Sequence, residues 1–403
     1  MNGNLMVVGA GRFQLPAIRK GQVLGYKVVA NDADPNAVGL EVADYCYHLD
    51  VKDIEGCIRV ARAHRICGVL TVAAEVAVPT VAAVADALCL PGVSLEAAQV
   101  SVDKSRMRER FDQWSVPSPR WRKCASLAEA RQSASELCWP LVVKPADNAG
   151  SRGVSLIEKP GDLAEAFTKA FSQSRRGLVM VEEFMQGVEI SCESFVYRGK
   201  VYVLGLSDKI RTQPPYLLDT TVLFPSEHPH HIQERAREVA RMAIKATGID
   251  MAAIHMELMV TNGEVKVVEL AARGAGFGVF TDILPWVTGV DAVEQLIRLS
   301  VGEEPNFGVT QHRGCVLRFP EIAPGVVSSV TGVDRARNLP GIFELQIYVR
   351  SGDVVRPLTS GSDRVGHIIA MAENRAAARA IIRMAENRIC IRTEPITQPT
   401  AAA

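Results

Sequence analysis

Two acidic residues twelve positions apart carry the strongest chemical signal in this chain. Glu257 stands in His255-Met256-Glu257, and Glu269 opens Glu269-Leu270-Ala271-Ala272-Arg273-Gly274. Both lie in apolar runs that read as strands, joined by Thr261-Asn262-Gly263-Glu264. Asn-Gly between such runs is a hairpin signal. Two convergent bare carboxylates suit divalent cations, above all those that accompany a nucleoside triphosphate. Register decides whether they converge. A strict two-residue loop pairs Glu257 with Val268 and sends Glu269 to the opposite face, because strand side chains alternate. A three-residue loop or a bulge brings both to one face. The competing reading is a pair of solvated carboxylates on an amphipathic ribbon.

Other segments carry chemistry of the same kind. Lys144 ends the apolar run Leu141-Val142-Val143 and precedes Asp147-Asn148-Ala149-Gly150-Ser151-Arg152-Gly153. A lysine beside glycine-rich backbone suits phosphate oxygens, with Gly150 and Gly153 allowing close approach. This is not a Walker A loop, and an ordinary surface loop is the alternative. Val181-Glu182-Glu183-Phe184-Met185 leads to Glu189. A strand-exit segment of that kind can meet a nucleobase edge, with a later carboxylate on ribose hydroxyls; a charged turn is the plainer reading. Arg273 follows Glu269 by four residues, and its planar fork suits a phosphoryl oxygen or a carboxylate. Gly274, Gly276 and Gly278 keep the loop after it thin. Gly9-Ala10-Gly11 invites a dinucleotide reading, but the third glycine position holds Gln14.

Composition excludes several function classes. The 403 residues are 48% hydrophobic and 22% charged with zero formal net charge, so no nucleic-acid or polybasic membrane surface is expected. No apolar run approaches the roughly 20 residues of a spanning helix, and the start shows no secretory signal pattern. Nine scattered cysteines without a Cys-x-x-Cys fit small buried hydrophobes in a reducing cytoplasm.

These residues need elements to position them. Over 1–98, strands at 5–8, 27–30, 45–49 and 68–72 alternate with helices near 15–24, 54–63 and 76–87, which predicts a parallel α/β domain. A second domain spans 99–304, with a small α+β lobe at about 118–185. Within it a polar helix is expected over 102–113 and a long one over 230–247. The Pro-bearing segment from Lys209 to Tyr216, with Arg211, reads as a mobile loop. Residues 305–403 read as an α+β cap with a helix over 374–385.

Taken in order, Asp103-Lys104, Val143-Lys144-Pro145, Gly150-Ser151-Arg152-Gly153, Glu182 to Glu189, His255-Met256-Glu257 and Glu269 to Gly274 resemble the ATP-grasp superfamily of carboxylate–amine ligases. Asp363-Arg364-Val365-Gly366-His367 is similar to the C-terminal domain of the L-amino-acid ligase branch. The resemblance implies an ATP-grasp fold with a preceding parallel α/β domain, an ATP-covering lobe and a C-terminal cap. It implies that Lys104 and Lys144 hold ATP phosphates under the loop of Gly150, Ser151 and Gly153. Glu182, Phe184 and Met185 would frame adenine, and Glu189 would take the ribose. Glu257 and Glu269 would hold two Mg2+ ions, with Mn2+ as a substitute, and Arg273 would act on the transferring phosphoryl group or the acceptor carboxylate. Arg211 and Gly276 fall in loops suited to substrate recognition. Ala271 stands where the family often carries an Asn ligand.

The expected reaction joins a small carboxylic acid or amino acid to an amine through an acyl phosphate, releasing ADP and phosphate. The expected enzyme is a cytoplasmic homodimer acting on small molecules. Three alternatives stand beside it: activation of bicarbonate, an NAD-dependent oxidoreductase built on Gly9-x-Gly11 and Asp32, and a nucleotide sensor whose site has decayed at Ala271.

Overall fold

The computed structural model describes residues 3–148, 150, 152–214 and 216–395. By packing, the chain divides into two units that exchange segments along the sequence. The first comprises 1–123, 185–206 and 228–311; the second comprises 124–184, 207–227 and 312–403.

The first unit opens with a four-stranded parallel sheet. Its order is Tyr45–His48, Lys27–Asp32, Asn4–Val8, Ile66–Leu70. Leu5, Met6, Val7 and Val8 are fully buried, as expected for a strand covered on both faces. Strand order reverses between Asn4–Val8 and Ile66–Leu70, and open parallel sheets bind ligands at the carboxyl end of such a reversal. Two segments emerge there: Gly9-Ala10-Gly11 and the stretch from Thr71 to Glu75. The glycine turn is already satisfied. Ala10 N–H donates to Asp32 Oδ2 at 2.9 Å, Gly9 N–H donates to Asn31 O at 3.0 Å, and the Gln14 amide donates to Val72 O. Gln14 therefore fills space that a dinucleotide pyrophosphate needs.

The same unit contains the antiparallel strands Val188–Tyr197, Ala252–Thr261 and Glu264–Ala271 in that order. The helix His230–Thr247 covers one face. Its Ile232, Ala236, Val239, Ala240, Ala243 and Ile244 belong to one core with Met256, Leu258, Val265, Val267 and Leu270. Leu95–Val102 and Lys104–Gln113 form two helices where the sequence suggested one over 102–113. Asp103 causes the break. Its backbone is extended and its Oδ1 accepts from the N–H groups of Ser105 and Arg106 at 2.9 and 3.1 Å, a helix N-cap. Lys104 thus becomes the first residue of the second helix.

The second unit holds an antiparallel sheet in which Leu141–Pro145 lies between Val179–Glu183 and Ser155–Ile157. The helices Leu127–Glu136 and Leu163–Gln173 pack on it through Ala130, Ala134, Leu163, Ala166, Phe167 and Ala170. A further antiparallel run joins the end of strand Lys200–Arg211 to Asp219–Phe224, Gly314–Arg318, Gly366–Ala372 and Ile342–Ile347. The helix Arg375–Glu386 lays Ala378, Ile382 and Ala385 against Val316, Ile368 and Ala370. Among the described residues no helix is long and apolar enough to cross a membrane.

Gly187, just ahead of Val188–Tyr197, shows how closely the first unit is packed. A Cβ there would lie 2.0 Å from Val260 O. Gly187→Ala should destabilise the protein by about 1–3 kcal/mol through overpacking, read as a lower thermal midpoint; an unchanged midpoint would refute the close approach.

Candidate active site

The acidic hairpin closes through a two-residue turn. Thr261 pairs with Glu264, and the central residues Asn262 and Gly263 have φ of 50° and 80°, the type I′ signature. From the turn the ladder runs regularly to Leu258 opposite Val267. It then slips, and Glu257 lies opposite Glu269. Val268 is the extra residue of a bulge. Burial records the change of phase: Val265 and Val267 are core residues on one side of the slip, Leu270 and Ala272 on the other. Odd positions face the core before Val268 and even positions after it. The bulge is what brings Glu269 to the face of Glu257.

Like charges opposite one another on a ribbon repel. Lys104 and His255 answer that repulsion, while Arg273 is held by Glu75. Lys104 Nζ lies 2.9 Å from Glu269 Oε2. Burial alone would lower the Lys104 pKa, but Glu269, Glu75 and Glu257 together raise it, so the ammonium stays charged. Arg273 Nη2 lies 3.2 Å from Glu75 Oε2, and its Nη1 donates to Gly274 O. His255 Nδ1 lies 2.6 Å from the buried Glu193 Oε1, with Nε2 3.8 Å from Glu257 Oε1. Burial would lower the His255 pKa; Glu193, facing it and hydrogen-bonded to it, and Glu257 outweigh burial and push it up to about 9. Glu189 sits on the adjacent strand opposite Met259, is buried, and brings its carboxylate within 4.8 Å of that of Glu257.

Hard carboxylate oxygens that remain partly open to solvent suit Mg2+, which keeps several waters. Glu257 and Glu269 side chains are 23% and 29% exposed, so water can reach both carboxylates. Ala271, buried opposite His255, offers no donor. Gly274 permits the loop to pass Phe280, whose ring carbon would lie 2.2 Å from a Cβ there, while Gly276 is open. Met185 lies in the loop between Val179–Glu183 and Val188–Tyr197.

The second unit carries the remaining residues. Lys144 Nζ lies 2.7 Å from Glu182 Oε2, and the side chains are only 7% and 5% exposed. Val142 pairs with Glu182 and Lys144 with Met180, so the two charges are diagonal neighbours on one face. Phe184 N–H is engaged by Pro140 O at 2.9 Å, and Glu183 accepts from Cys138 N–H. Hence the Phe184 amide is not available to a base edge. Gly150 has φ of 70° and open space around it; Gly153, at 77°, packs against Gln173. Ser151 lies outside the described residues. The base of this loop is fixed by Asp147, which accepts from the Ser174 hydroxyl and from Arg175 and Arg176 N–H groups. Arg211 ends Lys200–Arg211, two residues after the buried Lys209, whose Nζ lies 3.0 Å from Asp219 Oδ2.

Sequence reading missed Glu75, Glu193 and Arg108. None lies in a recognisable motif. The only available signal for Glu75 was its place after the fourth parallel strand, at the sheet's topological switch point.

Residues 137–281 match the ATP-grasp domain, and residues 318–394 match the L-amino acid ligase C-terminal domain 2. An uncharacterized protein of Sinorhizobium fredii, y4rH, is 27% identical over 94% of this chain and 80% of its own length. The alanine–anticapsin ligase of Bacillus subtilis is 26% identical over 62% of this chain, which spans 58% of that enzyme. The crystal structure of an L-amino acid ligase from Bacillus licheniformis superposes with a TM-score of 0.84 at 21% identity, covering 97% of this chain and 99% of that one. The chain therefore has the ATP-grasp fold.

Two tests follow from these ion pairs. Lys144→Met leaves the Glu182 carboxylate buried without its lysine and should cost about 3–5 kcal/mol, while Lys144→Met combined with Glu182→Leu should recover most of it. Denaturant midpoints of the singles and the double check this; additive losses would show that the pair is not coupled. His255 has a folded pKa above its unfolded value of 6.5. Its stabilising effect is therefore complete below that value and is lost as pH rises through about 9. In chelator-treated protein, the stability gap between wild type and His255→Gln should be widest near pH 6 and close above pH 9; a gap that does not depend on pH would overturn the assignment.

Proposed function

We propose that this chain, a member of the ATP-grasp carboxylate–amine ligase superfamily with an L-amino-acid-ligase-type C-terminal domain, joins an amino acid or small carboxylic acid to an amine. The observation that carries the reading is the facing pair Glu257 and Glu269, with Lys104 on Glu269 and Arg273 four residues on. A carboxylate is a poor acyl donor because its leaving group would be oxide. Transfer of the γ-phosphoryl group of ATP to one carboxylate oxygen gives an acyl phosphate and ADP. The amine then attacks the acyl carbon, the C–O bond to phosphate breaks, and the amine proton is lost to solvent or a base.

Each residue has a defined part. Lys144 and Lys104 supply fixed positive charge for phosphate oxygens, and Glu182 and Glu269 hold those ammonium groups in place before ATP arrives. Preset charge of this kind acts without reorganisation during the reaction. Glu257 and Glu269 would hold Mg2+, which when bound neutralises charge on the phosphate oxygens. Arg273, held by Glu75, orients the acceptor carboxylate or the transferring phosphoryl group. Glu189 receives the ribose hydroxyls, and the segment at Glu182, Phe184 and Met185 lies along adenine. The loop of Gly150 and Gly153 covers the triphosphate, which keeps water from the acyl phosphate. Arg211 and Gly276 lie in the segments that select substrates.

The test is release of ADP and phosphate from Mg-ATP with amino acids offered singly and in pairs, in bicarbonate-depleted buffer. Release that needs a pair is expected. Release that instead needs bicarbonate and one amine would replace the reading with carboxyphosphate chemistry. Glu269→Gln should abolish turnover and leave the thermal midpoint near wild type; turnover near the wild-type rate would remove the cation assignment.

A further inference from the structure

We propose that Arg108 is a positioning residue that sets the register of the two cation-binding carboxylates by clamping the bulge between them. The proposal rests on the reading of Glu257 and Glu269 as that pair.

A bulge takes its extra residue out of the ladder and leaves backbone groups to be bonded elsewhere. Arg108 is only 2% exposed, and its Nη2 donates to Val268 O at 2.7 Å. On the other side of the same kink, Val267 N–H donates to Pro117 O at 2.8 Å. The bulge is thus tied at both a carbonyl and an amide to one neighbouring segment, the helix Lys104–Gln113 and the chain that leaves it. Arg108 is four residues after Lys104, so the two side chains share a helix face. One helix therefore grips the Glu269 carboxylate through Lys104 and the backbone just before it through Arg108.

This arrangement matters because one residue of register decides the site. Without the extra residue in its present place, Glu269 would turn toward the core and Leu270 toward the carboxylate face. The bond from Arg108 to Val268 O falls one residue before Glu269, so it bears directly on which face that carboxylate takes. Arg108 touches no reacting atom in this scheme and acts through Val268.

The test measures binding of Mn2+ in the presence of ADP by paramagnetic resonance, with no acid or amine present. Arg108→Met should weaken Mn2+ binding about tenfold or more, the range for partners that orient metal ligands. Arg108→Lys keeps a donor and should recover part of the loss. Met6→Ala, in the fully buried core of the parallel sheet, serves as a destabilised control that should lower the thermal midpoint and leave Mn2+ affinity within about twofold of wild type. Unchanged affinity in Arg108→Met, or equal weakening in Met6→Ala, would overturn the proposal. If Arg108→Met does not fold, Arg108→Lys decides: weakening of severalfold supports the clamp, and wild-type affinity removes it. Glu269→Gln run alongside separates the two levels. If it leaves Mn2+ binding intact, the cation assignment itself fails; if it abolishes binding while Arg108→Met does not, only the clamp fails.

Discussion

Holding Glu257 opposite Glu269 is the constraint around which the first unit is organised. Two carboxylates on one face of a ribbon repel, and a free chain would relieve the repulsion by slipping one residue. The slip is resisted from both faces. On the core side, Leu258, Val267 and Leu270 pack under the helix His230–Thr247, so any shift of register exposes apolar surface. On the site side, Lys104 and His255 place positive charge beside the two acids. The apolar side fixes register, and the cations reduce the electrostatic cost of the register so fixed.

The second unit meets a similar demand by different means. Glu182 is far more buried than Glu269, while Lys144 and Lys104 are both nearly buried. A buried ion pair contributes little net stability, because desolvation takes back most of the Coulomb gain. Its value in this scheme is that the lysine is charged and oriented before a phosphate approaches. Glu75 does the same for Arg273. In each case a carboxylate holds a cation that, on the proposed reading, would serve an anionic substrate, and the replacement of one anion by another would leave the cation in place.

Much of this was legible in the sequence. The alternation of strands and helices over the first hundred residues, the Asn-Gly turn and the order of the charged motifs all depend on local chemistry, and local chemistry is written in consecutive residues. The requirement for a bulge or an odd loop was legible too, since parity alone forbids Glu257 and Glu269 from sharing a face across a regular two-residue hairpin. Which device is used was not legible. Val268 looks like any other β-branched strand residue, and its role appears only when Leu270 rather than Glu269 is found in the core. Arg108, Glu75 and Glu193 were hidden for a related reason. Each acts across more than sixty residues of sequence on a backbone atom or a side chain, and no spacing rule connects positions that distant. The interchange of segments between the two units is likewise a property of packing, and a linear reading into successive domains does not contain it.

The choice of a bulge over a longer loop has a physical consequence. A three-residue turn would also have aligned the carboxylates, but it would have placed the decisive geometry at a solvent-exposed tip. Loop tips are where backbones move most and tolerate insertion best. Moving the correction inward to Val268 puts it within reach of Arg108 and Pro117, where hydrogen bonds away from the tip can hold it. The tight Asn262-Gly263 turn then needs only to close the hairpin with the right-handed twist that strands prefer. Closure and register are separated along the same hairpin, one at the exposed end and one beneath the charged face. On the proposed cation-binding reading, a site that presents two like charges would gain from that separation, because the register at Glu269 is held away from the exposed tip.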